Sequence, residues 1–68
     1  MTHQKHYVLE GENVVGALYK VLEDDTWFFS VFVRRNGKWN NVIFQYSAKD
    51  KTKENIISEV KQILRDDL

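Results

Sequence analysis

The chain has 68 residues, ten basic and ten acidic, giving a net charge of zero, with two histidines and neither cysteine nor proline. The missing cysteine excludes a disulfide staple and a thiolate metal site, and neutrality argues against the basic excess that gives nucleic-acid binders their counterion-release affinity. Hydrophobic residues make up 43% and aromatics 13%, enough for a packed core, and no apolar run approaches the roughly 20 residues of a membrane span.

At this length a fold buries about 60% of the surface that its unfolded chain exposes. A single core then supplies only about 3–5 kcal/mol. Good internal packing, a partner, or a second copy has to make up the rest.

Residues 1–6, Met1-Thr2-His3-Gln4-Lys5-His6, lack the apolar stretch of a signal peptide, so a cytoplasmic protein is expected. They read as a flexible lead-in to a single domain over residues 7–68. His3 and His6 form a His-x-x-His pair without the further ligands that zinc requires, so no metal is expected. Tyr7, Val8 and Leu9, before Gly11, read as a short first strand.

Residues 14–22 fit two periods. Val14, Leu18, Val21 and Leu22 have helical spacing, whereas Val15, Ala17, Tyr19 and Val21 alternate. Gly16 and the β-branched valines favour a strand. Asp24-Asp25-Thr26 then serves as a three-residue loop into Trp27. In that register Val21 opposes Phe29 and Tyr19 opposes Val31 on the core face, and Leu18 and Lys20 fall on the second face. A two-residue loop would bury Lys20, at a higher cost.

The firmest local feature is Arg34-Arg35-Asn36-Gly37-Lys38-Trp39. Asn-Gly between two β-rich runs specifies a two-residue type I′ hairpin, because both residues tolerate positive φ. Arg35 must then oppose Lys38. Counting back pairs Val33 with Asn40, Val31 with Val42, Phe29 with Phe44 and Trp27 with Tyr46 on one face. The other face pairs Arg34 with Trp39, Phe32 with Asn41, Ser30 with Ile43 and Phe28 with Gln45. The first set is nearly all apolar and should face the core; a slip of one residue would reverse both faces.

Residues 48–68 read as helix. Ile56, Ile57, Val60, Ile63 and Leu64 form one apolar stripe, and Asp50 or Thr52 suits the N-cap. Ser47 followed by Asp50 is a looser capping-box candidate. Lysines at 49, 51 and 53 near the start and aspartates at 66 and 67 near the end run against the helix dipole. Screened surface charge accounts for that arrangement. The sum is an α+β fold, a four-stranded antiparallel meander with one C-terminal helix across one face (β-β-β-β-α).

Catalytic constellations are missing. The serines at 30, 47 and 58 lack a nucleophile elbow, the glycines at 11, 16 and 37 are isolated, and Glu23-Asp24-Asp25 is a turn cluster rather than a calcium loop. No enzyme activity and no cofactor are expected.

The second sheet face carries the functional expectation. It holds Phe28, Phe32, Arg34, Trp39, Asn41, Ile43 and Gln45 with Leu18 and Lys20, too apolar for a solvated face and too polar for a core. Arg34 opposite Trp39 suits a cation–π pair, and Trp, Phe and Arg are the residues enriched at binding hot spots. One account is a cover of this face by another part of the chain, or aromatics merely tolerated at the surface. The account taken here is a protein interface, heterologous or with a second copy, for an inhibitor, adaptor or regulator. The alternative is single-stranded nucleic acid, its bases stacked on Phe28, Phe32 and Trp39 and its phosphates met by Lys20, Arg34, Arg35 and Lys38.

Over about residues 7–68 the order of elements resembles that of the transcriptional-coactivator family that binds single-stranded DNA as a dimer. The likeness is one of element order with no shared motif, so no residue role follows from it.

Overall fold

In a computed structural model that describes residues 2–68, four strands and one helix follow one another. They are β1 (His3–Glu10), β2 (Val14–Val21), β3 (Thr26–Arg35), β4 (Lys38–Ser47) and α1 (Lys53–Ile63). The strands form one antiparallel sheet in the order β1-β2-β3-β4, with β1 and β4 as its edges. The fold is the expected α+β meander with a C-terminal helix.

The β3–β4 hairpin takes the register that Asn-Gly dictates. Arg35 opposes Lys38, Val31 opposes Val42 and Trp27 opposes Tyr46. Asn36 at φ 55° and Gly37 at φ 76° supply the two left-handed residues of the turn.

The β2–β3 register differs from the expected one. Val21 opposes Thr26, Lys20 opposes Trp27 and Leu18 opposes Phe29, so the loop is the four residues Leu22 to Asp25. Asp25 takes φ 58°, its amide donates to the Val21 carbonyl at 3.0 Å, and Asp24 Oδ1 accepts from the Thr26 amide at 3.1 Å. Those bonds satisfy the turn's polar backbone. The consequence is a reversed face for β2. Val14, Gly16, Leu18 and Lys20 lie on the helix side, and Val15, Ala17, Tyr19 and Val21 lie on the outer side.

Residues 3–6, expected outside the fold, form the first half of β1. Pairing with β2 shifts between Lys5 and Tyr7, a bulge that sets His6 and Tyr7 on the same face. Thr2 anchors the strand's start: its carbonyl accepts from the Leu22 amide at 3.0 Å and its amide donates to Glu23 Oε1 at 2.6 Å. That bond holds the Glu23 carboxyl below its usual pKa.

The core lies between sheet and helix. Leu9, Val14, Leu18, Trp27, Phe29, Val31 and Val33 meet Ile56, Val60 and Leu64, and Phe29, Leu18, Val14, Val31, Ile56 and Val60 are wholly covered. Each such side chain contributes about 1.5–3 kcal/mol by leaving water. Thr52 caps α1, its hydroxyl accepting from the Asn55 amide at 3.3 Å. Ser47 and Asp50 instead make a turn, in which the Asp50 amide donates to the Ser47 carbonyl at 3.2 Å.

Three contacts fix the helix across the sheet. Near its start, Lys51 pairs with Glu59, whose Oε1 accepts from the Tyr46 hydroxyl at 3.2 Å. In its last turn, Lys61 lies 5.4 Å from the Tyr7 ring centroid. Beyond its end, Asp67 takes two bonds from Arg35, at 3.3 and 2.8 Å. The first six residues of β4, from Lys38 to Ile43, are left exposed.

Candidate binding face

The sheet's outer side is built as cross-strand rows. Glu10, Val15, Phe32 and Asn41 form one row, Val8, Ala17, Ser30 and Ile43 the next, and Lys5, Tyr19, Phe28 and Gln45 a third. The small side chains of Ala17 and Ser30 make a floor between two aromatic ridges. Val8, Val15, Phe32 and Tyr19 surround this shallow depression of about 410 Å³.

The two ends of the face differ. At one end Tyr19 and Phe28 stack with centroids 5.0 Å apart, and His3 meets both edge-on at 5.1 and 5.8 Å. These rings cover one another. At the other end Phe32 and Trp39 are each 48% exposed and Ile43 is 56% exposed. About half of each of these side chains stays open to solvent.

Arg34 is held rather than free. Its guanidinium carbon lies 5.7 Å from the Trp39 ring centroid, and Nε and Nη2 donate to Asn13 Oδ1 at 3.3 and 3.1 Å. Asn41 Nδ2 donates to Ser30 Oγ at 3.3 Å and to the Val31 carbonyl at 3.1 Å. The polar groups around the exposed aromatics are thus pre-ordered, which lowers the entropy cost of docking.

Of the eight residues the sequence singles out, Phe28, Phe32, Arg34, Trp39 and Asn41 share this face. Lys20, Arg35 and Lys38 do not. Lys20 lies on the helix side, 5.6 Å from the Trp27 ring centroid and 3.0 Å from Asp25 Oδ1. Leu18, also expected on the second face, is fully buried. Lys20 escapes the cost of burial because it stands at the sheet margin, where its stem covers Trp27 and its ammonium reaches the surface. Arg35 is occupied by Asp67, which raises the guanidinium's pKa and lowers the carboxyl's. Val8, Val15 and Tyr19 join the face unforeseen. For Val15 and Tyr19 the alternation shows in the sequence, but the observed register puts them opposite Phe32 and Phe28 on the outer side instead of on the core face.

The two histidines part company. His3 is on the outer face, whereas His6 packs edge-on to Trp27 at 4.9 Å on the helix side, its Nε2 buried without a hydrogen-bond partner. Among the described residues no three His, Cys, Asp or Glu side chains gather to hold a metal, and no helix is long and apolar enough to cross a membrane.

Compared with family models, with curated proteins and with solved structures, the chain matches none.

Proposed function

We propose that this chain is a small non-catalytic binding module that presents the outer face of its sheet to another protein, as an inhibitor, adaptor or regulator acting by occlusion in the cytoplasm. The observation that carries the proposal is the exposed cluster of Phe32, Trp39 and Ile43, continued by Val15 and Val8. An apolar patch rimmed by ordered polar groups is the usual form of a protein interface. Trp39 and Phe32 are the anchors, and Arg34 and Asn41 are its directional contacts.

The distribution of cations favours protein over single-stranded nucleic acid. Stacked bases need phosphate contacts beside the aromatics. Among the described residues only Lys5 and Arg34 carry positive charge on this face, and Arg34 is engaged by Asn13.

The test is capture from an extract of the source cells by the tagged chain and by its Phe32→Ser and Trp39→Ala variants. Both variants are first checked for wild-type circular dichroism. Proteins retained by the wild type and lost from both variants support the proposal; an identical retained set from all three contradicts it. Retention of an oligonucleotide that falls steeply with salt would move the assignment to nucleic acid.

A further inference from the structure

The three central rows of the outer face hold two charges, Lys5 and Glu10, both exposed on β1. Their rows flank the one formed by Val8, Ala17, Ser30 and Ile43, one on each side. They stand about 13 Å apart along the strand. Among the described residues neither enters an ion pair, whereas Lys20, Arg35 and Lys51 do.

The face is uneven in relief as well. Trp39 stands up at one end, beyond the Glu10 row and opposite Arg34. At the other end, beyond the Lys5 row, a hollow of about 260 Å³ opens between Val21, Asp24, Thr26, Phe28, Ile43 and Gln45.

We infer that this face packs against the same face of a second copy, about a two-fold axis that crosses the strands over the row of Val8, Ala17, Ser30 and Ile43. Such an axis keeps each strand over its own counterpart and reverses the order of the rows. Lys5 of each copy then lies over Glu10 of the other, Tyr19 over Val15, Phe28 over Phe32 and Gln45 over Asn41. One row further out, Trp39 comes down over Ser47, beside the partner's hollow. Arg34 comes down over Thr26, next to Asp24 at the hollow's rim. Apolar meets apolar, amide meets amide and each charge meets its opposite, as an isologous contact requires.

The charges choose this axis. The other two-fold that joins the two faces runs along the strands. It sets Lys5 over Gln45 and Glu10 over Asn41, and both charges lose water without gaining a counter-ion. The crossing axis uses both, because one basic and one acidic group lie equally far from the central row.

The area is sufficient. Four strands about 4.8 Å apart and about eight residues long give the face about 500 Å². Two facing copies therefore bury about 1,000 Å², the least that a specific interface needs. The contact covers Val8, Val15, Phe32, Trp39 and Ile43, the exposed hydrophobics of this face, and adds burial that a chain of this length lacks alone. The inference names the partner of the binding module proposed above and rests on that reading.

The experiment is light scattering on the full chain from about 1 mM to about 1 μM. Lys5→Glu, Glu10→Lys and the double swap Lys5→Glu/Glu10→Lys are run beside the wild type. Both positions are exposed, and circular dichroism checks that each variant keeps the fold. The expected result is a mass of twice 8.1 kDa for the wild type at the high end. Each single reversal turns both Lys5–Glu10 contacts of the dimer from attractive to repulsive and should raise its Kd at least about tenfold. The swap keeps the net charge of the wild type and should return Kd to within about threefold of it. If the swap does not fold, an equimolar mixture of the two single variants replaces it, since each supplies the charges that the other lacks. A monomer at every concentration overturns the inference and leaves the outer face to its own capture test. A dimer indifferent to both reversals, or one that the swap does not restore, overturns it too, because the copies then meet in another way.

Discussion

Lys20 stands directly across the β2–β3 ladder from Trp27, its ammonium 5.6 Å from the indole centroid and 3.0 Å from Asp25 Oδ1. This arrangement turns an apparently misplaced charge into a cover for the edge of the core. It also takes Lys20 out of the outer face. Lys20→Met keeps the aliphatic cover and should change unfolding free energy by less than about 2 kcal/mol, since the exposed ion pair and the cation–π contact that it removes are each worth about 1 kcal/mol at most. Capture of partners should be unchanged. Urea melts beside the capture assay check both, and a lost partner with an intact fold would return Lys20 to the binding surface.

Arg35 and Asp67 tie the hairpin tip to the C-terminal turn, and Lys51 with Tyr46 ties Glu59 to the edge strand. Both carboxyls are held below their ordinary values of 3.8 and 4.5, by Arg35 and by Lys51 respectively. A carboxyl lowered in the folded state stabilises the fold above its unfolded pKa, and this contribution disappears as pH falls through the folded one. Melting temperature should therefore stay level from about pH 7 to about pH 5 and drop at lower pH. The gap between wild type and Arg35→Met should close over the same acid range. A gap that persists at the acid end would show that Arg35 acts by packing instead of by charge.

Gly16 pairs with Val31 on the helix side, and a Cβ there would sit 2.3 Å from Val31 Cγ1, 2.5 Å from the Ser30 carbonyl oxygen and 2.7 Å from Val31 Cα. Two of those atoms are backbone and cannot turn aside. Gly16→Ala should destabilise by about 1–3 kcal/mol, the usual cost of overpacking, in contrast to the gain that alanine brings at an unhindered strand glycine. Chemical denaturation measures it. An unchanged midpoint would mean that β2 and β3 separate here at little cost.

What was legible in the sequence follows from how far each signal reaches. Asn36-Gly37 fixes every pair of the β3–β4 hairpin, because a two-residue turn admits one register. The apolar stripe of α1 was legible too, with Ile56, Val60 and Leu64 buried as expected, although Ile63 is 54% exposed beyond the sheet's cover. The β2 register was not legible. Apart from Lys20 both alternating sets in residues 14–21 are without charge, so the expected cost of burying Lys20 alone separates the two registers. A charged residue one step from a strand's end can reach solvent along an aromatic ring, so the penalty never arose. The same misassignment hid Val15 and Tyr19 from the candidate face. The β1 bulge also left no mark, since His6 and Lys5 look like a polar lead-in and only their pairing with β2 makes them strand.

The measurement that bears most directly on the account is urea unfolding of the Phe32→Ala, Trp39→Ala double variant beside Phe29→Ala, with association followed on the same samples. Phe29 is fully buried, and its loss should cost about 3–5 kcal/mol and leave the chain largely unfolded. If the outer face is a binding surface, the double variant keeps a near wild-type midpoint while its association with other proteins is lost. If it unfolds as Phe29→Ala does, Phe32 and Trp39 belong to a core, and the binding module proposed for this chain is wrong.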